Sequence, residues 1–237
     1  MTSKNTQKQN EQKETAQQQE ELAYEKNKTY PIGQALELAK KMSKAKFDAS
    51  IEVHFNLGID PKKGDQQIRT AVTLPHGTGK DIKVAAFVES DKKKEVEAAG
   101  ADIAGGEELI EEIKKSEVTD FDVAVAQTSM MKKLTEIAKT LGTRGLMPSP
   151  KNDTVTDDPA RAVQELKKGK ISFKNDNTGN IHAIIGKRSF ETEKLEENFN
   201  TLLETVRKAK PAGAKGTYIK NITISSTMGP GIKVALK

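Results

Sequence analysis

The chain is 237 residues long, enough for two domains of ordinary size, and its 39 Lys+Arg against 34 Asp+Glu leave a formal net charge of +5. That mild basic excess suits an anionic partner without demanding one. There is no cysteine, so disulfides, thiolate zinc sites and a cysteine nucleophile are excluded.

Residues 1–28 are rich in Gln, Glu, Lys and Asn with scarcely an apolar side chain, and a disordered or fraying helical tail is expected there. The stretch has neither the apolar centre of a signal peptide nor the arginines of a mitochondrial transit segment. No later apolar run approaches the roughly 20 residues of a membrane helix, and a soluble chain is expected. Ile32, Ala35, Leu36, Ala39 and Met42 then recur at helical spacing behind Pro31, predicting a surface helix with one buried stripe. Ile51, Val53, Phe55 and Leu57 alternate with Ser50, Glu52, His54 and Asn56, the pattern of a strand with one wet face. A second strand is expected over 68–74, after LGIDPKKGDQQ.

The middle of the chain has another style. DIKVAAFV (81–88) is nearly continuously apolar; helices are expected over 92–99, 107–115 and 130–141, with strand-like ADIAG and FDVAVA (121–126) between them. Strands alternating with helices imply a parallel sheet covered by helices. After GTRGLMPSPKNDTV, a helix over 159–168 closes the segment. From Lys170 the antiparallel style returns: Ile171 and Phe173 are expected to pair across NDNTG with Ile181, Ala183 and Ile185 as a hairpin. Leu195, Phe199, Leu202, Leu203 and Val206 mark one face of a helix, and a last strand sets Ile222 and Ile224 against Asn221, Thr223, Ser225 and Thr227. The expected fold is therefore an α+β terminal domain made from both ends of the chain (29–77 and 169–237). Into it is inserted an α/β domain (78–168), Rossmann-like with a parallel sheet. The two crossings, near 74–79 and 168–170, form a two-strand hinge.

Motifs for catalysis are missing. HGTGK (76–80) has Leu74 and Asp81 where a Walker loop needs Gly and Ser or Thr, and reads as a tight linker turn. AAGADIAGG lacks dinucleotide-fingerprint spacing. His54, His76 and His182 are isolated in sequence, so no metal site is expected. Glu107, Glu108, Glu111 and Glu112 share a helix with Leu109, Ile110 and Ile113 and read as its solvated face. NDNTGN lacks the remaining positions of a calcium loop and reads as a turn. What remains is surface: Asn221, Thr223, Ser225 and Thr227, with Ser50, Glu52 and His54, could meet ribose hydroxyls, phosphates and base edges, or only water. STMGPG, with Met228 beside Gly229, leaves an adaptable apolar side chain and bare backbone displayed.

Five separated stretches carry a resemblance: AKFDASIEVHFNLGIDPKKGDQQIRTAVTLPHGTGK (45–80), TRGLMPSPK (143–151), FKNDNTGNIHAIIGK (173–187), KPAGAKGTYIK (210–220) and STMGPGIKV (226–234). Together they resemble the bacterial large-subunit ribosomal protein L-one family, over about 30–234. The resemblance implies a non-enzymatic, cofactor-free RNA-binding protein of the cytoplasmic ribosome, a monomer when free and not a membrane protein. Its implied partners are large-subunit ribosomal RNA at the mobile lateral stalk and the exit-site tRNA, whose release it assists. Its own messenger RNA, whose translation it represses, is a further implied partner. The RNA contacts implied are Lys46, Phe47, Ser50, Glu52, His182, Lys187, Asn221, Ser225, Thr227, Met228 and Gly229. This chain departs from the family pattern in GTRG at 142–145, in Ser149 and in its Gln-rich start. The rival reading is an enzyme that binds a nucleotide at the carboxyl ends of the inserted domain's strands.

Overall fold

A computed structural model describes residues 25, 28–116 and 119–235. The tail expected over 1–28 lies outside these residues apart from Glu25 and Lys28. The elements are Thr29–Tyr30 (β1), Ile32–Lys41 (α1), Ser50–Leu57 (β2), Arg69–Thr73 (β3), Val84–Phe87 (β4), Ser90–Ala98 (α2), Ile103–Gly105 (β5), Glu107–Ser116 (α3) and Val123–Ala126 (β6). Two short helices follow, Met131–Leu134 (α4) and Ala138–Thr143 (α5). Then come Pro159–Lys167 (α6), Lys170–Lys174 (β7), Asn180–Lys187 (β8), Thr192–Lys208 (α7), Ile219–Ser226 (β9) and Ile232–Val234 (β10).

Strict alternation in β2 buries Ile51, Val53, Phe55 and Leu57 and leaves the intervening residues half-exposed. It lies inside a five-stranded sheet of order β1-β10-β9-β2-β8, antiparallel except for the β1–β10 pair. The apolar stripes of α1 (Ala35, Leu36, Ala39) and α7 (Leu195, Phe199, Leu202, Val206) join the same core as the buried strand residues. Burying each of the large α7 side chains contributes about 1.5–3 kcal/mol. The other face of the sheet carries the alternate residues, largely polar, with Ile184 of β8 exposed among them.

β4 is buried at all four residues, and the sheet around it shows why. It is the centre of a parallel three-stranded sheet, β5-β4-β6. Ala85 and Phe87 pack with Ile110, Ile113, Leu134 and Leu141 on one side, and Val84 and Ala86 with Val96, Val163 and Leu166 on the other. A strand covered on both faces has no polar half, hence the continuous apolar run. α6 starts where Asp158 accepts a hydrogen bond from the Arg161 backbone N–H at 3.2 Å, ahead of Pro159 in the first turn. The first core draws its buried residues from 30–74 and 173–234, the other two from 84–166.

Two expectations need correction. β7 does not form a hairpin with β8: it pairs antiparallel with β3, Arg69 opposite Lys174 through Thr73 opposite Lys170, while β8 pairs with β2. NDNTG does turn the chain, but only an isolated Asn175–Ile181 bridge links the two sides. Asn175 is diverted to β3's end, where its Oδ1 accepts from the Ile68 backbone N–H at 2.7 Å. The Asp176 carboxylate then gathers the N–H groups of Thr178 and Asn180 at 2.8 and 2.7 Å, and these bonds hold its pKa far below the usual carboxylate range. The helix expected over 130–141 is also broken, into α4 and α5 separated by a tighter turn at Thr135–Ile137. There the Thr135 hydroxyl donates to the Lys132 carbonyl three residues back, an alternative to regular α-helical bonding.

Candidate nucleic-acid interface

The site forms where one end of β2 meets the end of β9. The backbones lock together: Thr227 N–H donates to the Ser50 carbonyl at 3.0 Å, and Ser50 N–H donates to Thr227 Oγ1 at 3.1 Å. From the neighbouring strand, Lys187 Nζ reaches Ser50 Oγ at 3.2 Å. Ser50, Lys187 and Thr227 are thus one cluster, although 177 positions separate the first and last. The next residue, Met228, is 86 % exposed and holds a positive φ of 66°. A left-handed backbone is unfavourable for a methionine, and such strain persists only where the surroundings impose it.

Lys46 and Phe47 sit on the loop before β2, Phe47 with 58 % of its surface open. The loop is pinned although its tip is bare. Asp48 accepts from Ser189 N–H and Oγ at 3.1 and 2.8 Å, Arg188 N–H donates to the Ala49 carbonyl at 2.8 Å, and the Arg188 guanidinium reaches the Ser43 carbonyl at 3.3 Å. A fixed aromatic in water is a platform for stacking against a base.

From this end, cross-strand ranks run down the open face. Glu52 lies between Ile184 and Ser225; His54 lies between His182 and Thr223; Asn56 lies between Asn180 and Asn221. Asn221 of the expected set therefore stands at the far end of β9 from Thr227, outside the Ser50 cluster. His54, Asn56, Asn180 and Thr223 are not among the RNA contacts that the resemblance implies. Their period-2 spacing places them on the wet face, but only the register reveals their partners. Asn56 Nδ2 donates to Asn180 Oδ1 at 2.7 Å, and His54 Nε2 lies 2.9 Å from Ser225 Oγ. His54 Nδ1 and His182 Nδ1 face each other at 2.8 Å. One ring must present N–H there and the other its lone pair, so a second proton would set two donors against each other. Burial first, then the His182 charge, push the His54 pKa down, with Glu52 opposing.

Gly229 is explained by space rather than by φ. A β-carbon on it would stand 2.2 Å from Ser226 Oγ, and Ser226, 3 % exposed, has a hydroxyl with no hydrogen-bond partner among the described residues. Gly229→Ala is expected to cost about 1–3 kcal/mol by overpacking. Ser226→Ala, which removes an orphaned hydroxyl, should be nearly neutral and should recover part of that loss in the double variant. Urea denaturation of the four proteins checks this; an equal cost for Gly229→Ala in both backgrounds would show that the hydroxyl is not the obstacle.

The crevice at the carboxyl ends of β4, β5 and β6, about 510 Å³, is lined by Glu89, Glu107 and Glu108 beside Lys93 and Lys133. Lys133 is paired with Glu107, and three carboxylates against two ammonium groups leave the crevice net negative, which disfavours a nucleotide's phosphates. Among the described residues no group of three or more His, Cys, Asp or Glu is placed to hold a metal ion, and no helix is long and apolar enough to cross a membrane.

The described chain is thus mixed α/β, with an exposed bend beside a largely polar sheet face. The model of the Ribosomal protein L1p/L10e family matches residues 39–230, and the chain belongs to that family. It is 58 % identical over 210 residues to the large ribosomal subunit protein uL1 of Mycoplasma capricolum, covering 89 % of this chain and 92 % of that one. The uL1 protein of Mycoplasma mycoides is 59 % identical over the same shares. That of Thermosipho africanus is 50 % identical over 89 % of this chain and 90 % of its own.

Proposed function

We propose that the chain is a constituent of the cytoplasmic large ribosomal subunit that binds ribosomal RNA at the mobile stalk, through the bend at Thr227–Gly229 and the adjoining sheet face. The observation that carries this reading is Met228, an exposed apolar side chain held in a strained conformation beside the bonded Ser50–Thr227–Lys187 cluster. Recognition is of RNA shape, through hydroxyls, amides and backbone, with Phe47 and Met228 lying against unpaired bases or sugars. Membership of a ribosomal protein family and the uL1 relatives support the ribosomal setting.

The molecule works as two domains, 29–77 with 169–237, and 78–168. The separation of the apolar cores supports this division. The crossings between them meet glycine on glycine: Gly77 and Gly169 both have positive φ, and a β-carbon on Gly169 would lie 2.4 Å from Gly77 Cα. Motion about these crossings lets the α/β domain escort deacylated tRNA away from the exit site. An RNA-shaped site of this kind would also accept a similar fold in the chain's own messenger, and so repress its translation.

Recovery of RNA bound to the chain in cell lysate, followed by sequencing, tests these readings together. Enrichment of the stalk region of large-subunit RNA is expected, with messenger enriched as well if the chain represses itself. RNA recovered in proportion to its abundance would refute specific recognition.

A further inference from the structure

At the other end of β2 the loops 58–67 and 211–218 face each other across a cleft of about 460 Å³, with Lys63, Lys215 and Lys220 in its lining. Two of the family-like stretches, around PKKGDQQ and KPAGAKGTYIK, meet here, far from the bend. The walls are fixed in place. Gln66, buried at 8 % exposure, accepts from the Asp60 backbone N–H at 2.8 Å and donates to the Gly213 carbonyl at 3.3 Å, bridging the two loops. Gly58 N–H donates to the Tyr218 carbonyl at 2.7 Å, and the Tyr218 hydroxyl donates to the Val206 carbonyl at 2.9 Å. Gly58 packs so tightly that a β-carbon there would meet the Thr217 carbonyl oxygen at 2.2 Å.

The cations in this cleft form no ion pair among the described residues, although Asp60 is in its lining and the Asp65 carboxylate lies against Gly213. Lysines elsewhere, such as Lys80, Lys114, Lys167 and Lys170, sit beside carboxylates. Among the described residues no ion pair engages Lys63, Lys215 or Lys220, all three of which are exposed. Asp60, the carboxylate in the lining, accepts from the Lys62 backbone N–H at 3.2 Å. Three unpaired ammonium groups against two carboxylates, around bare glycine backbone on loops already ordered, form a net positive receptor for an anion.

We infer that this cleft grips the phosphate backbone of the same RNA that the bend recognises. The inference rests on the RNA-binding reading above and extends it to a second contact. Continuity selects RNA as the occupant. Lys220 is the extra residue at the register shift beside Asn221 on β9, and from there the amide and imidazole ranks lead back, through the Glu52, Ile184 and Ser225 rank, to Ser50 and Thr227. β2, eight residues long, spaces the two contacts by about 23 Å at the usual rise per strand residue. Only an elongated polyanion engages both ends, and ribose hydroxyls suit the polar ranks between them.

The test uses the full chain and a transcript of the stalk region of large-subunit ribosomal RNA, with affinity measured across a salt series. Lys215→Gln/Lys220→Gln is expected to weaken binding roughly tenfold at moderate salt and to reduce the slope of log affinity against log salt by about 2, one per phosphate contact. Both lysines are exposed, so Tm should hold and confirm folding. Lys93→Gln/Lys94→Gln on α2 removes the same charge elsewhere and should change neither quantity. Met228→Asp should weaken binding while Lys215 and Lys220 remain. Parental affinity and slope in Lys215→Gln/Lys220→Gln, with binding lost in Met228→Asp, would overturn the cleft contact and leave the bend standing. An equal loss in the α2 control would reduce the effect to bulk charge and overturn it too. No binding by the parent chain would overturn both readings.

Discussion

Met228→Asp is expected to weaken binding to stalk-region ribosomal RNA by more than about 1 kcal/mol, roughly fivefold, without lowering Tm. The side chain is 86 % exposed, so almost no packing is lost when it is replaced. Aspartate tolerates the left-handed backbone at φ 66° at least as well as methionine does. What changes is the surface shown to RNA: an adaptable apolar arm becomes a charge that repels phosphate. Met228→Gly is the companion. It removes the arm without adding charge and relieves a left-handed strain of about 1–2 kcal/mol, offset in part by the freer unfolded chain. Stability should hold or rise while affinity falls, opposite signs that a purely structural residue would not give. Parental affinity in both variants would remove Met228 from the interface. Thr227→Val is a different experiment. The Thr227 hydroxyl already accepts from Ser50 N–H and donates to the Ser50 carbonyl, at 3.1 and 3.3 Å. Its loss should therefore lower stability by about 1 kcal/mol as well as affinity.

Asn198→Leu should destabilise the fold by about 3 kcal/mol or more, lowering Tm by about 10 °C, a larger effect than any change at the bend. Asn198 is fully buried in the apolar stripe of α7. Its Oδ1 accepts from His76 N–H at 3.1 Å, and its Nδ2 donates to the carbonyls of Gly77 and Ile185 at 3.0 and 2.8 Å. Leucine of similar volume would strand the Ile185 carbonyl in the core, and would take from the part-buried His76 N–H and Gly77 carbonyl the partner that holds them against α7. Asn198→Asp keeps the acceptor but turns a carboxylate towards two carbonyls, and should be at least as harmful. Thermal melts decide the matter; a change in Tm of a degree or two would mean that these groups find other partners. The bonds to His76 and Gly77 also tie that segment to α7.

Asn198 shows where sequence reading stops. Leu195, Phe199, Leu202 and Val206 declare the helix and its buried face by spacing alone. Asn198 falls on that face, three residues after Leu195, and a polar residue in an apolar stripe is a signal of a buried hydrogen-bonding post. Its partners lie 121 and 122 positions away in one direction, and no local pattern encodes them. The same division explains the β7 error. Alternation in ISF and IHAII marks strands correctly, but periodicity is silent about which strand pairs with which. Beside β7, the Asn175 side chain bonds to the end of β3 and the Asp176 carboxylate closes the turn, partners that alternation does not show. Of the proposed interface, Thr227, Met228 and Gly229 stand out in the sequence as a glycine bend and Ser50 as the wet half of an alternating strand, but no local pattern says that the two meet. The His54–His182 contact and the lysine cleft required the register of β2 against both neighbours.

The position of β2 has a consequence for how the molecule is made. Its hydrogen-bonding neighbours, β8 and β9, lie far downstream of it in the chain, whereas β4, β5 and β6 follow one another directly. During synthesis at about 5–20 residues per second, β2 waits on the order of ten seconds for its first partner. In that interval the parallel sheet can close, while Ile51, Val53 and Phe55 remain an unpaired apolar edge in want of a chaperone. The proposed RNA-facing surface comes into being only after β9 has been made, so RNA recognition follows, and cannot guide, the closing of the parallel sheet.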